Sequence, residues 1–341
     1  MKRTGWPVLV IALFVLPLAV GDTVYLRNGK SVTGTIRKLE PDKLVIQTAT
    51  GTVEYTREQV KCFSLTRVGP DGKPRTVTAA FKPKPIKMPF ELETAHYTIK
   101  TDTAEHVCKN TGKAMEQLYK AYTRIFHAED APPDRKAEII IFDQRSAFFQ
   151  YAQSLNARPR KDTLGFFRTA PDGSSQIVTF KRRTGEFHTL STLYHEATHQ
   201  FFRHWLGRGN QPPLWVNEGL AVYFENSRWQ NGKLRTGVIP RKRLLVLRAA
   251  LRAGRHVRLA DLVRRGRDRY DGLCYSEGWS LVYFFVKAHR GRYAKRFGKY
   301  LRALRDRTDP HKAFKTHLGA DLDKLERAWK VFVLGLKIPP A

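Results

Sequence analysis

The chain is poor in cysteine, in acidic side chains and in long apolar runs. Cys62, Cys108 and Cys274 are its 3 cysteines. They form no CxxC pair, which excludes a Cys-based zinc ribbon, a dithiol redox centre and a disulfide-dense scaffold. At most one disulfide could form, and all three are expected in the core. Asp and Glu number 31 against 61 Lys and Arg, a formal charge of +30. A field of that sign favours anionic partners (acidic polymers, an anionic envelope surface, nucleic acid) and says nothing about fold. The basic runs Lys181-Arg182-Arg183, Arg241-Lys242-Arg243 and Arg264-Arg265 come with no zinc knuckle, recognition-helix signature or aromatic RNA-binding motif. Each reads as a solvated face or helix end, and nucleic acid is the disfavoured partner. Beyond the N-terminus no apolar run reaches the roughly 20 residues a membrane-spanning helix needs.

The N-terminus has the form of an export signal. Lys2 and Arg3 precede an apolar or small stretch from Trp6 to Val20, and Ala19-Val20-Gly21 places small residues where a signal peptidase reads them. A signal peptide over residues 1–21 is expected, with the mature chain starting at Asp22 in exported space: periplasmic, extracellular or associated with the cell envelope. The competing reading is an uncleaved N-terminal anchor. The remainder, with 42% hydrophobic and 11% aromatic residues overall, has globular composition.

Residues 22–66 predict a small β-module of short strands around an Asn28-Gly29 hairpin turn, a bend at Gly34 and a turn at Gly51. By fold-level analogy it resembles SH3-like and Sm-like barrels. Residues 67–89 carry Pro70, Pro74, Pro83, Pro85 and Pro89 among lysines and glycines, and predict a semi-rigid linker. Residues 90–341 then form one domain. Tyr97–Thr101, Ala137–Phe142 and Gln176–Phe180 read as strands. Cys108, Met115, Leu118, Tyr122 and Ile125 make the apolar stripe of a helix. From Thr189 onward the pattern is helical almost to the end. A mixed sheet followed by a helical half is an α+β arrangement.

The chemistry sits at the start of that helical half. His195-Glu196-Ala197-Thr198-His199 is an HExxH sequence. On a helix, residues four apart lie one above the other, so both imidazoles can reach one zinc at about 2.0–2.1 Å. Glu196 stands one residue after the first ligand, placed to take a proton from water without ligating the metal. Leu190, Leu193, Ala197, Phe201 and Trp205 supply an apolar face, and no Gly or Pro interrupts before Gly207. The bland alternative is a pair of core histidines. A catalytic zinc, however, needs three protein ligands and an open position. Glu218 supplies a third, 18 residues after His199 in Trp215-Val216-Asn217-Glu218-Gly219-Leu220-Ala221, on a helix that a short loop can fold back antiparallel.

These two motifs resemble the gluzincin superfamily of zinc metallopeptidases. Their spacing is similar to that of the M1 aminopeptidase-like branch, and also to an uncharacterised bacterial family of secreted gluzincin-like domains. The resemblance implies a zincin-like catalytic domain and one Zn2+ held by His195, His199 and Glu218. Glu196 would be general base and later proton donor, with a peptide or protein as substrate. It also implies a role for Tyr275, three residues before Gly278, as hydrogen-bond donor to the tetrahedral oxyanion; the alternative for Tyr275 is a core or rim aromatic.

Two departures shape the expected specificity. The aminopeptidase branch carries a Gly-x-Met-Glu-Asn strand whose acid holds the substrate's amino group, and Gly173–Phe180 has no carboxylate. An endopeptidase is therefore expected, with Gln176–Phe180 as the strand that pairs with an extended peptide. The thermolysin-like branch places an orienting acid four residues after the third ligand, where this chain has Val222. A His ligand still needs an orienting partner, and Glu225, two turns on, is a weak candidate. The alternatives to an enzyme are a catalytically silent gluzincin-like structural or binding protein and a basic protein that binds acidic polymers or nucleic acid.

Overall fold

The computed structural model describes residues 21–340 apart from 41–42, 58, 69, 72, 81–86, 129–135, 156, 158, 170–172, 208 and 231–232. The expected signal peptide therefore lies outside the described residues. The chain divides into two compact units, residues 1–85 and 86–341.

In the first unit six strands form one antiparallel sheet. They are β1 (Asp22–Leu26), β2 (Ser31–Leu39), β3 (Lys43–Thr48), β4 (Gly51–Thr56), β5 (Val60–Val68) and β6 (Pro74–Ala80), in the order β4-β3-β2-β1-β5-β6. Asn28-Gly29 makes the expected hairpin turn between β1 and β2. Gly29 has φ 88°, a conformation glycine adopts without strain, and the Asn28 side chain accepts from Lys30 N at 3.0 Å. Val24, Leu26, Leu44, Ile46, Val60 and Phe63 form the core. Buried Asp22 ties β1 to its neighbours, accepting from the amides of Ile36 and Thr66 and from Arg67, each at 2.9 Å.

The expected linker over residues 67–89 is corrected here. Its first half continues the sheet: β6 pairs antiparallel with β5 from Val68↔Pro74 to Cys62↔Ala80. No proline interrupts this strand after its first position. Pro74 stands at its first position, where a missing N–H costs least, and Arg75–Ala80 is a proline-free run with β-branched Thr76, Val77 and Thr78. Pro83 and Pro85 lie outside the described residues. The three cysteines are free; Cys108 and Cys274 are buried as expected, but Cys62 is half-exposed.

The second unit is α+β. A five-stranded mixed sheet comprises β7 (Phe90–Glu93), β8 (Tyr97–Thr101), β9 (Ala137–Phe142), β10 (Gly165–Thr169) and β11 (Ser175–Phe180), ordered β10-β11-β9-β8-β7. β8, β9 and β11 run parallel, and β7 and β10 are antiparallel edges. The isoleucines of β9 are buried on both faces, as a strand covered by helices on each side requires. Helix α1 (Glu105–Phe126) presents Cys108, Met115, Leu118 and Tyr122 to one face, and α2 (Arg145–Ser154) packs Phe148 against Ile140, Phe142 and Val178 on the other.

The helical half holds α3 (Glu186–Leu206), α4 (Leu214–Glu225), α5 (Arg241–Arg252), α6 (Leu259–Leu262), α7 (Gly272–Gly291), α8 (Ala294–Arg305), α9 (Pro310–His317) and α10 (Leu322–Gly335). One hairpin, β12 (Arg228–Gln230) with β13 (Lys233–Arg235), interrupts the helices. Trp215, Trp279, Tyr300 and Trp329 are buried in their shared core. Arg248 is buried on α5, where it donates to the carbonyls of Val333, Leu334 and Leu336 at the end of α10. The Val333 carbonyl also accepts from Leu336 N at 3.3 Å; carbonyls at a helix C-terminus run short of intrahelical donors, so a cation there completes them.

Candidate metal centre

Helix α3 is fixed from behind before any functional group is considered. Ala197 and Thr198 face the core. The Thr198 hydroxyl donates to Tyr194 O at 2.6 Å and lies 3.0 Å from the Tyr122 hydroxyl on α1. With positions 197 and 198 turned inward, His195 and His199 lie together on another face, half-buried. Helix α4 returns antiparallel after Pro212-Pro213 with Trp215, Val216 and Leu220 buried, and this brings Glu218, 4% exposed, to the imidazoles.

The three donor atoms form a triangle. His195 Nε2 and His199 Nε2 are 3.2 Å apart, and Glu218 Oε2 lies 3.7 Å from the first and 3.4 Å from the second. A tetrahedral zinc with bonds of 2.0–2.1 Å separates its ligands by about 3.4 Å. The triangle fits that ion, and the donor set of two imidazoles and one carboxylate suits zinc.

Each imidazole is oriented by a partner on α4. His195 Nδ1 meets Glu225 Oε2 at 3.2 Å, and His199 Nδ1 meets Asn217 Oδ1 at 3.2 Å. Both partner atoms are acceptors, so each Nδ1 carries a proton and each Nε2 is turned to the triangle, where it can bind a metal once it holds no proton of its own. Two lone pairs facing each other at 3.2 Å would repel, and either a proton on one Nε2 or a metal ion between them removes the conflict. Glu225, the weak candidate of the sequence, is the carboxylate that meets His195 Nδ1. Asn217, the residue before Glu218, was not anticipated; its only signal was its place in the same motif. Glu218 Oε1 is 3.4 Å from Arg267 Nη2, which leaves Oε2 for a metal.

The electrostatics favour positive charge at this point. Burial opposes a charge on His195, yet its hydrogen bonds to Glu218 and Glu225 and the charge of Glu196 push its pKa up to about 10. Burial likewise raises Glu218, but hydrogen bonds to the two imidazoles outweigh it and hold the carboxylate well below its usual range. Glu225 is lowered against burial by its bond to His195, aided by the charges of Arg243 and Arg228.

Glu196 is half-buried and, among the described residues, makes no hydrogen bond or ion pair, so its carboxylate is uncommitted. It lies against the start of β10. A Cβ on Gly165 would stand 3.5 Å from Glu196 Cγ and 2.7 Å from Thr192 Cγ2. The strand beside the site is therefore β10, and the expectation for Gln176–Phe180 is corrected. That segment is β11, bonded to β10 on one side and β9 on the other. With both edges taken it cannot pair with a peptide; among the described residues Gly165–Thr169 is the edge on this side of the sheet. The glycine is needed because any side chain would push the strand off α3.

Tyr275 occupies the first turn of α7, which Asp271 caps by accepting from Leu273 N and Cys274 N at 3.0 Å. Its ring is half-buried, edge-on to Tyr270 at 5.2 Å and beneath the guanidinium of Arg243 at 5.8 Å. Burial raises the phenol's pKa and the charges of Glu218 and Glu196 act on it, while Arg267 and Arg243 act in the opposite sense. The structure brings Tyr275 into the same electrostatic neighbourhood as the triangle. No described residue hydrogen-bonds its hydroxyl.

Residues 189–306 match the model of a family described as "Protein of unknown function (DUF1570)", a span that takes in the HExxH motif, Glu218 and Tyr275. No curated protein matches the chain.

Proposed function

We propose that this chain is a gluzincin-like zinc metallopeptidase, acting as an endopeptidase in exported space. The observation that carries the reading is the Nε2, Nε2, Oε2 triangle with an uncommitted glutamate next to it in sequence. The signal-like N-terminus supports the location.

A bound zinc supplies Lewis acidity, which acidifies water and draws charge from a peptide carbonyl. The chain's own groups do the rest. Glu196 accepts a proton from the attacking water and delivers it to the leaving amine, two transfers that one carboxylate can serve in turn. Tyr275 donates its hydroxyl hydrogen to the carbonyl oxygen as negative charge builds there, stabilising the transition state more than the ground state. The edge of β10 offers main-chain hydrogen bonds to an extended substrate. On this reading the second unit is a zincin-like domain, and the six-stranded sheet is an accessory module of SH3-like or Sm-like barrel type.

Elemental analysis of the purified chain tests the centre. One zinc per chain is expected, lost in Glu218→Ala. Glu196→Gln should keep the zinc and the melting temperature, yet lose about 10²–10⁴-fold in hydrolysis of an unstructured protein. A chain that takes up no zinc sinks the metal reading. Activity unchanged by Glu196→Gln sinks the mechanism and leaves the centre standing.

A further inference from the structure

The three basic runs of the sequence are partly committed within the fold. Lys181 stands 3.8 Å from Asp143, Arg243 lies over the Tyr275 ring, and Arg265 donates to Cys274 Sγ at 3.4 Å. The uncommitted charge is elsewhere. Between Glu277 and Asp306 the chain has no acidic residue and eight Lys and Arg. Lys287, Arg290, Arg292, Lys295, Arg296 and Lys299 are exposed, and among the described residues none of them forms an ion pair or a side-chain hydrogen bond. Near the sheet the pattern is the reverse: Lys100, Lys109 and Lys136 each meet a glutamate at 2.7–2.8 Å.

Two local features turn these cations to one side. On α8, Lys295, Lys299 and Arg302 recur at i, i+4 and i+7, and Arg292 precedes them by about one turn in helical conformation. The four make one stripe, while Phe297, Tyr300, Leu301 and Leu304 face the core. From Arg292 to Arg302 the stripe runs about 15 Å. Like charges four apart on a helix repel, and no acid in the stretch offsets that. Upstream, the end of α7 leaves helical geometry. His289, Arg290 and Gly291 have φ 49°, 57° and 83°, and Arg292 N closes the turn on the carbonyls of Ala288 and His289 at 3.2 and 3.3 Å. Only glycine takes that conformation without strain, yet positions 289 and 290 hold an imidazole and a guanidinium, both exposed. Repulsion and strain kept together on one surface point to a use for it in binding.

We propose that this face, the end of α7 with the outer side of α8, binds an acidic polysaccharide, a chain of carboxylated or sulfated sugars. Its composition selects that partner. Among residues 287–305 no large apolar side chain is exposed, so nothing here enters a bilayer as an interfacial helix does. The aromatics are occupied: Tyr293 stacks on Phe284 at 5.0 Å and Tyr300 is buried, which leaves no platform for nucleobases. A row of cations without rings or apolar groups reads charge along a chain and little else. An exported protein meets such polymers outside the cell. The proposal stands apart from the peptidase reading, since no metal ligand takes part.

Anisotropy of fluorescein-labelled polygalacturonate titrated with the full chain tests it. Saturable binding is expected, weakening steeply as salt rises. The triple variant Arg292→Glu, Lys295→Glu, Lys299→Glu should lose at least about tenfold in affinity and show a flatter salt dependence. A matched triple at α10, Lys324→Glu, Arg327→Glu, Lys337→Glu, changes net charge equally and should bind within about twofold of wild type. Both triples should keep the wild-type zinc content. Arg290→Gly should weaken binding while the melting temperature holds or rises, because glycine fits φ 57°. Equal losses in the two triples would overturn the proposal, since net charge and not this face would then be the cause. So would the absence of saturable binding. Tighter binding to phosphatidylglycerol vesicles, or to an oligothymidylate of matched charge, would overturn it in favour of a membrane or nucleic-acid surface. If the α8 triple fails to fold, Arg290→Gly decides alone.

Discussion

Gly219 and Gly278 bring the backbones of α4 and α7 into direct contact: a Cβ on Gly219 would stand 2.4 Å from the Gly278 carbonyl oxygen. A Cβ on Gly278 would in turn meet the Tyr270 hydroxyl at 2.6 Å and Trp215 O at 2.9 Å. Glu218 precedes one of these glycines and Tyr275 lies one turn before the other, so the crossing sets the spacing between Glu218 and Tyr275. Gly219→Ala must force the helices apart. Overpacking of this kind costs about 1–3 kcal/mol, and we expect a lower melting temperature together with weaker zinc retention against a chelator. A variant as stable and as metal-tight as wild type would show that the crossing has slack.

The partners of the imidazoles should matter nearly as much as the ligands. Glu225→Gln and Asn217→Ala should each leave the fold intact and weaken zinc affinity about 10–100-fold. Competition with a fluorescent chelator reads this directly. Asn217→Asp keeps an acceptor facing His199 Nδ1 and should restore most of the affinity; no difference between Ala and Asp would remove the orienting role.

For Tyr275 the expectation is a kinetic split. Tyr275→Phe should lower kcat with KM nearly constant, because an oxyanion donor is used only once the carbonyl becomes tetrahedral. The loss of one such donor typically costs about 2.7–4 kcal/mol. A rim aromatic would instead show a silent Phe variant. Acetylated and free peptides should be cut equally well, since Gly165–Thr169 carries Arg168 and no acid; strict dependence on a free amine refutes the endopeptidase assignment.

Arg243 over Tyr275 and Arg267 beside Glu218 put two guanidinium groups at the mouth of the centre. Peptides with Asp or Glu near the scissile bond should be preferred over matched peptides with Lys. Arg243→Ala should raise KM for the acidic peptide roughly threefold to tenfold and leave the neutral one unchanged, as expected for a partly exposed ion pair. Equal KM values for acidic and basic peptides in the wild type would count against it.

Glu277 gives a stability test independent of activity. Its carboxyl is buried; Oε1 accepts from Val257 N at 2.8 Å and Oε2 is unpaired. Burial pushes its pKa from 4.5 up to about 7. The native state therefore holds a proton that the unfolded chain releases above pH 4.5, so stability falls as pH rises from 4.5 to about 7 and levels off beyond. Glu277→Gln should be the more stable protein at pH 8, by roughly 3 kcal/mol at most, and equal to wild type at pH 4. Glu326 works in the opposite sense lower down. Its pKa is held at about 2 despite burial, by Lys330, Leu259 N and His256, so its contribution is lost only as pH falls from 4.5 towards 2. Coincident melting profiles for wild type and Glu277→Gln between pH 4 and 8 would mean that the carboxyl ionises freely in the fold.

Local spacing alone determined a good part of this protein. Four-residue periodicity placed His195 and His199 on one face of α3, the double proline started α4 just before Glu218, and Asn28-Gly29 turned the first hairpin. Each of these depends on residues within a turn or two of one another. What depended on tertiary structure is pairing between remote segments. Alternation made Gln176–Phe180 a strand but could not show that it would be flanked on both sides, leaving Gly165–Thr169 at the edge. Proline content suggested a linker where β5, by pairing with Pro74–Ala80, makes a strand. Glu225 looked too far from Glu218, since seven residues of helix span about 10 Å. In an antiparallel pair, however, the step from His199 back to His195 runs the same way in space as the step from Asn217 forward to Glu225. Glu225, the partner of His195, therefore lies further along α4 than Glu218, and only the packed helices fix that register.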